Sequence, residues 1–149
     1  MSETRPNLIL MADDDADDRL LMKEALAESK VSEQMRFVED GEDLMDYLLR
    51  RGKYTAPGSC PSPALILLDL NMPRKDGREA LREIRAHPDL RRIPVVAFTT
   101  SKADSDVGML YDLGVNSFVP KPHTFDAIVE TITTLARYWF GIVRLPTRN

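Results

Sequence analysis

The chain has 149 residues, 43% hydrophobic and 30% charged, which suits one domain with a sizeable core and leaves too little chain for two ordinary ones. No apolar run approaches the roughly 20 residues of a membrane helix, and MSETRPN lacks the basic stretch and apolar core of a secretion signal. The net charge of -4 and the scattered basic residues exclude the footprint of a nucleic-acid binder, and the single cysteine, Cys60, excludes an internal disulfide and fits a reducing cytoplasm.

In chain order, the first predicted strand is Leu8-Ile9-Leu10-Met11-Ala12, which stops abruptly at the acids Asp13, Asp14 and Asp15. A helical pattern carrying Leu20, Leu21 and Leu26 follows, then a second strand over Met35–Val38 and a second helix with Leu44, Tyr47 and Leu48. The segment from Gly52 to Pro63, rich in Pro, Gly and Ser, reads as a long surface loop. Ala64–Leu68 is the third strand and ends at Asp69; a helix with Leu81 and Ile84 follows and closes at Pro88. The fourth strand, Ile93–Phe98, runs into Thr99, Thr100 and Ser101, and Gly114 stands where a helix C-cap is expected. Ser117–Val119 forms the fifth strand before Lys121-Pro122, and Phe125, Ile128, Ile132, Leu135 and Trp139 mark one face of the last helix.

Five strand–helix units in strict alternation predict a doubly wound α/β domain with a parallel sheet and right-handed crossovers. Near-continuous apolar strands agree, because such a sheet is covered on both faces. Ligands of these sheets gather at the carboxyl ends of the strands. That rule predicts convergence of Asp13 and Asp14, Asp69, Thr99 and Lys121, which are far apart in the chain.

Crowded carboxylates repel one another, so an oxygen-rich acidic site points to a hard divalent cation, and magnesium prefers one or two carboxylates plus water and phosphate oxygens. A hydroxyl and an ammonium beside such a metal are what a transferred phosphoryl group requires. Asp69 is the candidate nucleophile, because it ends a central strand and is the only acid there. Asp13 and Asp14 are the candidate metal ligands, with Asn71 lending its backbone carbonyl. Each residue also has a plainer reading. Asp15, Asp17 and Asp18 are assigned to capping a helix N-terminus, and Thr99 or Lys121 alone would be an ordinary cap or surface lysine. The joint placement at successive strand ends favours the site.

These residues resemble the receiver domains of two-component response regulators over roughly residues 7–138. The resemblance rests on Asp13-Asp14, on Leu-Leu-Asp69-Leu-Asn71-Met-Pro73 with Asp76-Gly77, on Thr99, and on Lys121-Pro122. It implies a flavodoxin-like (βα)5 fold with strand order 2-1-3-4-5, a receiver domain over residues 7–140, and Asp69 as phosphoacceptor. It further implies Asp14 as direct magnesium ligand, Asp13 acting through water, Lys121 pairing with phosphate, Thr99 as the switch hydroxyl and Phe118 as an aromatic reporting phosphorylation. Phe118 has an alternative as a core aromatic, and Asp14-Asp15 is an alternative frame for the acidic pair; Ala12 completes the strand and favours Asp13-Asp14.

A narrower resemblance runs through Asp40-Gly41, Gly52-Lys53-Tyr54, the stretch from Arg74 to Glu79, and the tail Tyr138-Trp139-Phe140 to Leu145-Pro146. These look like the small response regulators paired with phytochrome histidine kinases, which implies a light-regulated kinase as phosphodonor and a homodimer. The apolar run from Tyr138 to Leu145 offers a dimer contact through the 141–149 tail, or it folds back over its own sheet. No output domain is expected after the receiver, so signalling is expected by protein contact or phosphoryl relay. Two other functions compete. A magnesium-dependent aspartyl-phosphate hydrolase normally needs an acid two residues past its nucleophile, where this chain has Asn71; a structural pseudo-receiver would not need the full set of site residues. Arg50, Arg51 and Lys53, Arg91 and Arg92, and the isolated His87 and His123 read as solvated or capping residues, and Cys60 has no catalytic partner in view.

Overall fold

The computed structural model describes residues 7–100 and 104–146. Five parallel strands lie in the order β2-β1-β3-β4-β5, the order expected: β1 is Leu8–Ala12, β2 Gln34–Val38, β3 Leu65–Leu68, β4 Val95–Thr99 and β5 Ser117–Pro120. The helices are α1 (Ala16–Ser29), α2 (Gly41–Leu49), α3 (Gly77–Ala86), α4 (Asp104–Leu113) and α5 (Phe125–Arg137).

Strand residues alternate between two faces, so the uninterrupted apolar strands feed two separate cores. Leu8, Leu10, Ala12, Ile66, Leu68, Val95 and Ala97 face one side, where Leu44 and Tyr47 of α2, Leu81 and Ile84 of α3 and Leu110 of α4 cover them. Ile9, Met11, Leu65, Leu67, Val96 and Phe98 face the other, against Met22 and Ala25 of α1 and Ile132 of α5. Each fully buried leucine, isoleucine, valine or methionine among them contributes about 1.5–3 kcal/mol. Only the central strands are buried throughout; β2 and β5 are edges and their residues are partly exposed.

Three expectations need correction. Leu20 and Leu21 are not the packed face of α1: they are 55% and 38% exposed, while Met22 and Ala25 are buried. Three consecutive apolar residues spread over about 200° of a helix, and only part of that arc can face the sheet. The 52–63 loop is not simply solvent-borne. It contains a short 3₁₀ turn at Gly52–Tyr54, and Tyr54 sets its ring against Tyr47 at 5.1 Å and donates its hydroxyl to Asp43 at 2.8 Å. Tyr47 in turn donates to the Pro61 carbonyl at 2.9 Å, and Cys60 is buried beneath. Finally, β4 begins at Val95 and not at Ile93, because Pro94 has no N–H to give the ladder.

Beyond α5 the chain turns through one π-helical turn, Tyr138–Ile142. Part of the tail folds back, with Trp139 and Phe140 packed against the core under α5, whereas Tyr138 and Ile142 are exposed. Residues 147–149 of the tail, and Ser101 after β4, lie outside the described residues.

Candidate functional site

The sheet's own ladder brings the strand ends together. Asp13 donates its backbone N–H to Val38 at 3.0 Å, Asp69 to Ala12 at 3.1 Å, and Lys121 to Thr99 at 2.9 Å. Each residue that follows a strand is thus pinned to its neighbour across the sheet, and the side chains meet at one end.

Asp69, only 7% exposed, is the hub. Its Oδ1 accepts from the Thr99 hydroxyl at 3.0 Å and from the Asn71 backbone N–H at 3.2 Å, and its Oδ2 accepts from Lys121 Nζ at 3.0 Å. Thr99 has no solvent exposure, so its hydroxyl is committed to this site. Asp13, equally buried, accepts from the Asp15 N–H at 2.9 Å and from Lys121 Nζ at 2.7 Å. Asp14 is exposed at the mouth, and one oxygen each from Asp13, Asp14 and Asp69 lie within 4.8 Å of one another.

Electrostatics follow from this crowding. Burial pushes the Asp13 carboxyl up from its ordinary value of 3.8, against the pull of Lys121 and the Asp15 amide. Burial works in the opposite sense on Lys121, yet hydrogen bonds to Asp13, Asp18 and Asp69 outweigh it and hold the ammonium charged well above the usual lysine range. A cluster of hard oxygen donors of net negative charge fits magnesium, and a cation there would offset the charge that burial disfavours on Asp13.

The loop after Asp69 is held by its surroundings. A Cβ on Gly77 would overlap the Asp69 carbonyl oxygen, and one on Gly41 would overlap that of Lys75, so the close approach at both positions requires glycine. Asp76 caps α3 in a reciprocal capping box with Glu79. Arg74, in the left-handed region at φ 65°, donates its guanidinium to Asp40, the N-cap of α2. Burial would raise the Asp40 carboxyl, but the Asp43 N–H and the Arg74 guanidinium prevail and hold it below 3.8. This link between α2 and the loop after Asp69 was not read from the sequence; Asp40 before a helical pattern was the available cap signal.

Asp13, Asp14, Asp69, Thr99 and Lys121 therefore stand together. Asn71 contributes its backbone N–H to Asp69, a contact beside the backbone carbonyl that the sequence had singled out. Phe118 stands apart: it is partly buried against the core under α3 and α4, and its N–H donates to the Tyr111 hydroxyl at 3.2 Å. Asp15 is the N-cap expected, accepting from the Asp17 and Asp18 amides. Asp18 is the residue that sequence reasoning misplaced. Its carboxylate does not cap the helix; it accepts from Lys121 Nζ at 2.9 Å.

Residues 9–133 match the response regulator receiver domain family. Response regulator Rcp1 of Synechocystis sp. is 39% identical over 141 residues, covering 95% of this chain and 94% of its own. Its Mn(2+)-bound crystal structure superposes with a TM-score of 0.84 over 95% of this chain and all of that one. The phosphorylated cyanobacterial phytochrome response regulator RcpA is 38% identical, with a TM-score of 0.86 over 96% of this chain and all of its own. Response regulator RPA3017, from red light signalling in R. palustris, is 37% identical, with a TM-score of 0.89 over 95% of this chain and 99% of that one.

Proposed function

Because this chain belongs to the family of response regulator receiver domains, we propose that it is a phosphorylation switch in which Asp69 takes a phosphoryl group from a sensor histidine kinase. The observation that carries this reading is the Asp69 carboxylate itself, addressed at once by the Thr99 hydroxyl, the Asn71 amide and the Lys121 ammonium. A carboxylate oxygen attacks phosphorus as the P–N bond of the donor phosphohistidine breaks; the bonding pair returns to the imidazole, which takes up a proton. Asp13, Asp14, Asp69 and the Asn71 backbone carbonyl would hold magnesium, whose charge, when it is bound, neutralises the phosphoryl oxygens. Lys121 pairs with the transferred group, and the Thr99 hydroxyl turns from the carboxylate to a phosphoryl oxygen, which is the switching motion; Phe118 follows it as the aromatic reporter.

The role is switching and not turnover, since Asn71 cannot protonate a leaving group. A phytochrome-type kinase is the proposed donor, supported by the likeness to RcpA and RPA3017 across nearly the whole chain. Among the described residues no helix is long and apolar enough to cross a membrane, and the net charge is -4, which suits a cytoplasmic protein without nucleic-acid contacts. The receiver spans residues 7–140, and the exposed Tyr138 and Ile142 with the 141–149 tail supply the homodimer contact. Sedimentation of Tyr138→Ser/Ile142→Ser is expected to give a monomer where wild type gives a dimer; a monomeric wild type would reject the contact.

The functional test is mass gain with a small donor that carries a P–N bond. Wild-type protein incubated with phosphoramidate and magnesium is expected to gain one phosphoryl group by intact mass, and to gain none with EDTA. No gain in magnesium would overturn the reading.

A further inference from the structure

An ammonium has three N–H donors, and Lys121 spends them on three carboxylates: Asp13 at 2.7 Å, Asp18 at 2.9 Å and Asp69 at 3.0 Å. Two of these acceptors, Asp13 and Asp69, belong to the oxygen cluster that suits a cation; Asp18 does not. Metal binding and phosphorylation of Asp69 therefore change the acceptor on two of the three bonds and leave only the third as it was.

Asp18 is also well placed to be rigid. It lies in the first turn of α1, where its own N–H is held by the Asp15 cap. A carboxylate there is favoured by the helix dipole. Asp17 beside it shares the same cap and the same dipole, but its side chain is exposed. Charge at the helix start thus does not separate the two acids; contact with Lys121 does.

We propose that Asp18 is a positioning residue for Lys121, anchoring its ammonium beside the Asp69 carboxylate whether or not metal and phosphoryl group are present. A lysine side chain has several rotatable bonds, and ordering them costs entropy that a fixed partner removes beforehand. Without Asp18 the ammonium keeps only partners that the reaction itself claims. It then either turns to solvent or closes on Asp13 and Asp69, where it neutralises the metal ligands and the nucleophile.

This inference rests on Asp69 as acceptor, and the experiment separates the two. Phosphoryl uptake from phosphoramidate is timed by intact mass for wild type, Asp17→Ala, Asp18→Ala, Lys121→Ala and the Asp18→Ala/Lys121→Ala pair. Asp18→Ala is expected to slow uptake about three- to tenfold, a modest factor because Asp18 is half-exposed, while Asp17→Ala matches wild type. The double variant is expected to match Lys121→Ala alone, because Asp18 acts only through the lysine. In metal-free protein, the ¹⁵N signal of the Lys121 ammonium, sharpened by slow hydrogen exchange in wild type, is expected to broaden in Asp18→Ala. Wild-type kinetics in Asp18→Ala, a full further loss in the double variant, or an unchanged ammonium signal would overturn the proposal. No uptake by wild type would refute the acceptor reading instead, and the ammonium signal would still decide the role of Asp18.

Discussion

Replacing Asp69 by alanine is expected to lower phosphoryl uptake by at least about a hundredfold, to below detection, while leaving the protein folded. Two other carboxylates stand within 4.8 Å, so the loss depends on what distinguishes Asp69 from them. Asp13 has no solvent exposure, and both its oxygens are engaged, one by the Asp15 amide and one by Lys121. Asp14 is exposed, and among the described residues no donors converge on it. Among the described residues, of these three acids only Asp69 faces a hydroxyl, an amide and an ammonium positioned to receive the charge of a phosphoryl group. Thermal unfolding of Asp69→Ala should stay close to wild type, because the substitution removes one of three crowded acids and leaves Lys121 paired with Asp13 and Asp18. Uptake by this variant at a rate near wild type would place the acceptor elsewhere.

Lys121→Ala is expected to have the largest effect on stability. It leaves Asp13 and Asp69, both buried, without their cation; breaking a buried pair on one side costs several kcal/mol, and roughly 2–4 kcal/mol is appropriate for a pair at a pocket mouth. For a domain of this size that is a fall in Tm of about 4–16 °C. Magnesium should restore part of the loss by replacing the missing charge, so the variant gains more stability from magnesium than wild type does. The deficit also has a pH signature. The Asp13 carboxyl has a folded-state pKa raised above 3.8, so the stability referable to it is fully present below 3.8 and is lost as pH rises through the folded value. Removing Lys121 raises that value further, so the deficit is expected to be small in acid and to grow towards neutrality. Urea denaturation across that range checks it; a deficit independent of both pH and magnesium would contradict the pairing.

Much of this site was legible because strand ends in a parallel sheet are defined by where apolar runs stop. Ala12 before Asp13, Leu68 before Asp69 and Phe98 before Thr99 are abrupt transitions, and the doubly wound topology turns them into neighbours. Features that depend on helix rotation or loop path were not legible. Leu20, Leu21 and Met22 are equally apolar, yet only Met22 is buried, because α1 is turned by its packing on the sheet and against α5. The same rotation decides that Asp18 and not Asp17 reaches Lys121, and no local pattern separates those two acids. The 52–63 segment has the composition of a free loop, but Tyr54 and Pro61 tie it to Asp43 and Tyr47 of α2, 11 and 14 positions away in sequence. Arg74 reaches Asp40 across 34 positions, which no window along the chain can span.

The most direct measurement is chemical trapping of the phosphorylated residue. Borohydride reduces an aspartyl phosphate to homoserine, so wild-type protein treated with phosphoramidate and magnesium, reduced and digested, carries its acceptor as a permanent mass change in one peptide. The expected result is homoserine at position 69 and at no other acid. Homoserine at Asp13 or Asp14, or unmodified Asp69 in protein that has gained phosphate, would contradict the account.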